Sequence, residues 1–107
     1  MTVYVDDMRL PTKVGRVRAR WSHLMADTDD ELNEFAAKLG LKPAWAQAPG
    51  TWESHYDVTD SMREKAIELG AVPIGCLSTE MLEFTERKMQ QCASPPRARD
   101  EPEGDRV

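Results

Sequence analysis

Two helices that stop in the same way, thirty residues apart, set the fold class of this chain. One pattern closes on Leu39-Gly40-Leu41 and the other on Leu69-Gly70-Ala71. A glycine in that place reads as a left-handed C-cap followed by an apolar contact. The first helix also declares its start. Thr28-Asp29-Asp30-Glu31 fits a capping box, with the Thr28 hydroxyl reaching the Glu31 N–H and the Glu31 carboxylate reaching back. Acids in that first turn complement the positive end of the helix dipole. Leu32, Phe35, Ala36 and Leu39 recur at i, i+3, i+4 and i+7, which predicts a helix over 29–39. Thr59 or Asp60 caps a second helix over 60–69, with Met62, Ala66 and Leu69 on one face. Ser78 caps a third that runs to about Gln91, with Met81, Leu82, Thr85 and Met89 inward and Leu77 stapled against Leu82.

Short β-rich runs separate these helices. Thr2–Val5 reads as a first strand closed by Asp6-Asp7. Met8–Arg20 holds Pro11, Gly15 and five basic residues and reads as a loop. Arg20–Ala26 suits a second strand, with Trp21, His23 and Met25 on one face and Ser22, Leu24 and Ala26 on the other; the same letters also suit a helix. Pro43 opens a short helical turn carrying Trp45, and Trp52–Val58 reads as a third strand. Ala71–Ile74 is a fourth, with Pro73 pointing to an edge. Strands alternating with ten-residue helices predict a small α/β domain. Its sheet is short, parallel or mixed, of about four strands in the order β-β-α-β-α-β-α.

Size and composition narrow the rest. A chain of 107 residues is expected to hold one domain, here 1–92. Residues 93–107 carry Pro95, Pro96, Pro102 and Gly104 with only Val107 as a large apolar residue, the composition of a disordered tail. No apolar run approaches a membrane span, and the first residues lack the basic and apolar regions of a signal peptide. Cys76 and Cys92 form no Cys-x-x-Cys pair, so a reducing cytoplasm is expected. A net charge of −5 argues against a general nucleic-acid coat and leaves room for a local basic patch.

The residues able to do chemistry lie at strand ends, where α/β sheets gather their ligands. Asp6 closes the first strand, Asp27 follows the second, His23 lies within it, and His55 and Asp57 fall in the third. If those strands are neighbours, the side chains converge in one cleft. Histidine with aspartate suits a divalent cation such as magnesium or manganese, or acid–base work. Each also has a plainer reading: Asp27 as part of a helix start, the histidines as half-buried hydrogen-bonded residues. Arg16, Arg18 and Arg20 in the basic run are candidates for holding phosphate. Trp21, Trp45 and Trp52 flank the candidate segments. No P-loop, Gly-x-Gly-x-x-Gly or Gly-x-Ser-x-Gly occurs, which removes the common nucleotide and serine-hydrolase readings.

Taken in order, Val3-Tyr4-Val5-Asp6, Trp21-Ser22-His23-Leu24-Met25-Ala26-Asp27, Phe35-Ala36, His55-Tyr56-Asp57-Val58 and Gly70-Ala71-Val72-Pro73 resemble a known pattern. It is that of the domain of unknown function 4031 family, small uncharacterised bacterial and phage proteins. The resemblance covers about residues 1–90. It implies that Asp6, Trp21, His23, Asp27, His55, Tyr56 and Asp57 belong to the family's pattern, and it implies no activity. Three functions are compatible with these readings. The first is a non-catalytic accessory protein that binds a small ligand or a protein partner through a Trp/His/Asp pocket beside the basic loop. The second is a metal-dependent phosphoesterase or nuclease using the Asp/His cluster. The third is a structural or oligomeric module.

Overall fold

The computed structural model describes residues 2–91, so the expected tail at 93–107 lies outside the described residues. Five strands and three α-helices follow one another: β1 (Val3–Val5), β2 (Leu10–Val14), β3 (Val17–Ala26), α1 (Asp29–Lys38), a 3₁₀ turn (Pro43–Trp45), β4 (Tyr56–Thr59), α2 (Asp60–Glu68), β5 (Val72–Pro73) and α3 (Thr79–Gln91). The small α/β class and the mixed sheet are as the alternation predicts. The sheet has one strand more.

That extra strand corrects the reading of Met8–Arg20 as a loop. β2 and the first half of β3 form an antiparallel hairpin in which Val14 and Val17 flank a two-residue turn, Gly15-Arg16. Gly15 takes φ +62°, the left-handed value that the first central position of such a turn demands. Apolar or β-branched residues occupy every second position (Leu10, Thr12 and Val14 against Val17, Ala19 and Trp21). The cations between them mask a period of two.

β3 is the centre of the sheet. Leu24 pairs with Val5 of β1 and also with Tyr56 of β4, and Trp21 pairs with Leu10 of β2 and with Thr59 of β4. β1 and β2 therefore share one edge of β3, and β4 holds the other. β5 adds to β1 in parallel.

Strand alternation then sorts the side chains. Val5, Leu24, Ala26, Tyr56 and Val58 point to one face and form the core with Leu32, Phe35 and Ala36 of α1 and Ala66 of α2. Tyr4, Trp21, His23, Met25 and Asp57 share the opposite face by register. α3 covers only part of that second face, through Phe84 against Tyr4 at 4.8 Å and through Lys88, whose Nζ donates to the Ala26 carbonyl at 3.1 Å. The buried side of α3 is thus Phe84 and Lys88; of the four residues expected inward, Met81 and Thr85 are half-buried while Leu82 and Met89 are exposed. Leu82 is 63% exposed and Leu77 is 96% exposed, so no staple forms. One aromatic pair and one buried lysine stem outweigh the apolar spacing. Leu69, expected inward on α2, is also exposed, while Ala66 is buried and Met62 half-buried against the core. Trp52–Val58 is shorter as a strand than expected: only Tyr56–Thr59 joins the sheet, and His55 makes an isolated bridge to Gln47.

The helix caps follow the sequence. The Thr28 hydroxyl accepts from the Glu31 N–H at 3.2 Å, and the Glu31 carboxylate meets that hydroxyl rather than the backbone. Thr59 caps α2 and Ser78 caps α3 in the same manner. Thr28→Ala is expected to cost about 1 kcal/mol in urea unfolding. A cost near zero would mean that α1 is held by its core face alone.

Candidate metal centre

The centre begins where β1 stops. Asp6 to Arg9 span the stretch that Ser22 and His23 alone span on β3, so this edge bulges between β1 and β2. Arg9 absorbs the bend with φ +47°, and its N–H is satisfied by the Ser22 hydroxyl at 3.0 Å. Such bulges re-aim side chains. Here the bulge leaves Asp6 in line with His23, whose carbonyl accepts the Asp6 N–H at 3.0 Å.

Asp6 is 2% exposed, and a carboxylate so buried has to be hydrogen-bonded. One oxygen accepts from the His23 N–H at 2.9 Å and the Met8 N–H at 3.2 Å. The other lies 2.7 Å from Nδ1 of His23. Burial would raise the Asp6 carboxyl, but these hydrogen bonds and the nearby imidazole together hold it below its ordinary value. Arg63 of α2 donates to the Asp6 carbonyl at 2.7 Å, which ties the bulge to the helix layer.

β4 supplies the other half. Asp57 pairs directly with His23 in the antiparallel register. His55, two positions earlier, falls on the same face, and its Nε2 lies 3.5 Å from an Asp57 oxygen. Its Nδ1 meets the Glu53 carbonyl at 2.6 Å. Burial disfavours a charged His55, yet the bonds to Asp57 and Glu53 prevail and leave its pKa raised above 6.5. The hydrogen bond from His55 lowers the Asp57 carboxyl against the opposing effect of burial. The two imidazoles meet edge to face, with centroids 4.9 Å apart. His23, His55 and Asp57 each bring one donor atom within 4.8 Å of the others.

This arrangement matches what imidazole ligands need. Each Nδ1 is held by a carboxylate or a backbone carbonyl, which leaves Nε2 of His23 as the nitrogen for an ion, while Nε2 of His55 would exchange its contact with Asp57 for one. Ligand atoms about 2.0–2.2 Å from one tetrahedral ion lie about 3.4 Å apart, so side-chain rotations would close the widest pair of donors by up to about 1.4 Å. Two imidazoles suit a transition ion better than magnesium, which prefers oxygen ligands. The rings line a cleft of about 330 Å³ with Asp6, Cys76, Met81 and Phe84. Ions of this class are open to small ligands when the protein supplies three donors.

The remaining sequence candidates lie elsewhere. Asp27 follows the far end of β3, where it accepts from the Thr2 N–H at 3.0 Å and faces Arg87 at 3.5 Å. Tyr56 points into the core, donating from its hydroxyl to Asn33 at 2.8 Å. Trp21 shares the His23 face but lines a separate cleft with Arg16. Arg18 and Arg20 alternate onto the opposite face from His23. Glu53 carried no signal in the sequence, because any residue offers a carbonyl and only the turn before β4 aims this one. Arg9 was one of a run of cations; it forms a two-pronged pair with Asp60 at 2.8 and 3.0 Å.

Fold and centre together define a small mixed-sheet α/β domain with a histidine–carboxylate cluster beside a strand bulge. The family model described as "Protein of unknown function (DUF4031)" matches residues 3–88, and the chain belongs to that family. The match takes in every residue of the cluster. No curated protein and no solved structure matches the chain.

Proposed function

We propose that this protein binds a divalent transition metal through His23, His55 and Asp57 and uses the ion to hold a small ligand. The observation that carries this reading is the pair of Nδ1 contacts, Asp6 to His23 and Glu53 to His55, at 2.7 and 2.6 Å. Two imidazoles tied in that way stand beside one carboxylate with a donor atom each within 4.8 Å, the makings of a three-ligand site. Asp6 acts as the orienting partner and not as a ligand. Zinc, iron, cobalt and manganese all suit the donor set. Among the described residues, no helix is long and apolar enough to cross a membrane.

Metal-dependent phosphoester hydrolysis would use the same ion to activate water. Such chemistry also calls for a cation on the phosphate, and none of Arg16, Arg18 and Arg20 lines the cleft that holds the two imidazoles. Ligand binding is therefore preferred. The test is calorimetric titration of the full chain, stripped of metal, with cobalt and zinc, followed by NMR of both imidazoles. One ion per chain and shifted resonances from both rings are expected, with magnesium far weaker. Metal uptake that leaves either ring unshifted would place the ion elsewhere and sink the assignment.

A further inference from the structure

A second and larger cleft, of about 560 Å³, adjoins the centre and is not explained by metal binding. It lies between the tip of the hairpin and the turn at Pro43–Trp45. Asp57 lines this cleft, whereas His23 and His55 line the smaller one, so Asp57 stands between the two. Trp21, Trp45, Val14, Val17 and Met62 make the lining largely apolar.

The two indoles are placed differently. Nε1 of Trp21 donates to the Thr12 carbonyl at 3.1 Å, so its polar atom is satisfied. The ring is left as a fixed apolar surface. Trp45 is 51% exposed on a turn of three residues, with the Lys42 ammonium 5.6 Å from its ring centre. An indole half in water on so short an element contributes little to the core, and it suits a surface that a ligand completes. Charge is divided along the cleft. Among the described residues that line it, Arg16 is the one cation and Asp57 the one carboxylate.

We propose that this cleft holds the flat aromatic ring of a ligand whose anionic oxygen group coordinates the metal beside Asp57. The inference rests on the metal reading above. The ligand class is a nucleobase or aryl compound bearing a phosphate or a carboxylate. Indole surfaces take planar rings by stacking, and this volume lies in the ordinary range for small-molecule sites. Without the ion, an anion here meets the Asp57 carboxylate and is repelled. With it, the local charge is inverted and the anion is drawn in. Ring and anion are thus recognised by two adjacent sites, and the second depends on the metal.

The experiment uses the full chain, with zinc uptake measured first on the same sample. Adenosine 5′-monophosphate and 1-naphthoate are the ringed probes, and ribose 5-phosphate is the ringless control. The better-bound ringed anion is expected to bind the zinc-loaded protein about tenfold or more tightly than ribose 5-phosphate, the scale of one stacked ring. Which of the two binds better distinguishes the phosphate from the carboxylate source. Trp45→Ala should abolish the advantage of the ring while leaving zinc affinity unchanged, and removal of zinc should weaken both ringed anions. Ribose 5-phosphate binding as tightly as the ringed probes would overturn the proposal, as would an unaffected Trp45→Ala or a zinc-loaded protein that binds neither ringed anion. A chain that takes up no zinc fails at the earlier step and overturns the metal reading itself, and this inference with it.

Discussion

Alanine in place of His55 is expected to lower the affinity for zinc or cobalt on the order of 100-fold or more, with the fold intact. Loss of an orienting partner alone typically costs 10–100-fold, and His55 is argued to be a ligand. The ring is partly exposed at the edge of the cleft, so its removal opens no sealed cavity. Asp6→Asn provides the graded comparison. It keeps the size of the side chain and removes the charge that orients Nδ1 of His23, so a loss of about 10–100-fold is expected. Calorimetric titration measures both, and circular dichroism checks the fold. An affinity in His55→Ala equal to that of the wild type would mean that His55 is not a ligand.

The largest effect on stability is expected from Leu24→Ala. Leu24 is fully buried and is paired on both sides, with Val5 and with Tyr56, at the strand that joins the two edges of the sheet. Truncation of a buried leucine costs about 2–5 kcal/mol, depending on how far the site collapses. A small domain commonly has only about 5–15 kcal/mol in total. The urea midpoint should therefore fall steeply, and the variant stands near the limit of folding. Zinc should recover part of the loss, because an ion that binds only the native chain stabilises it by mass action. A cost under about 1 kcal/mol would show that β3 is not the centre of the core.

The helices were legible because their signals are local. Thr28, Glu31 and Gly40 act on groups within a few residues, and so do Thr59 and Gly70 around α2. The hairpin was not legible for a related reason. Its pattern of two is present in Val14, Val17, Ala19 and Trp21, but Lys13, Arg16, Arg18 and Arg20 dominate the same stretch. A run of cations reads as solvated, whereas in a projecting hairpin they need only one face. The buried side of α3 failed differently. Leu82 and Met89 are apolar and exposed, Lys88 is charged and covered, and that choice depends on the backbone carbonyl of Ala26 waiting at the end of β3.

Of the seven residues singled out for the pocket, Asp6, His23, His55 and Asp57 meet; Asp27, Tyr56 and Trp21 do not join them. Residue type and strand position were enough to choose chemically able side chains. They could not say which strand neighbours which, or in what register. Antiparallel pairing of β3 with β4 is what sets His23 opposite Asp57, and a shift of one residue would send Asp57 into the core in place of Tyr56. The bulge after β1 likewise brings Asp6 to Nδ1 of His23, although nothing in Asp6-Asp7-Met8-Arg9 announces it. Local hydrogen-bond chemistry, written within a few residues, settles where helices start and stop and which faces are apolar. The meeting of four residues drawn from three separate segments depends on pairing between strands far apart in sequence. Only the assembled sheet supplies that register.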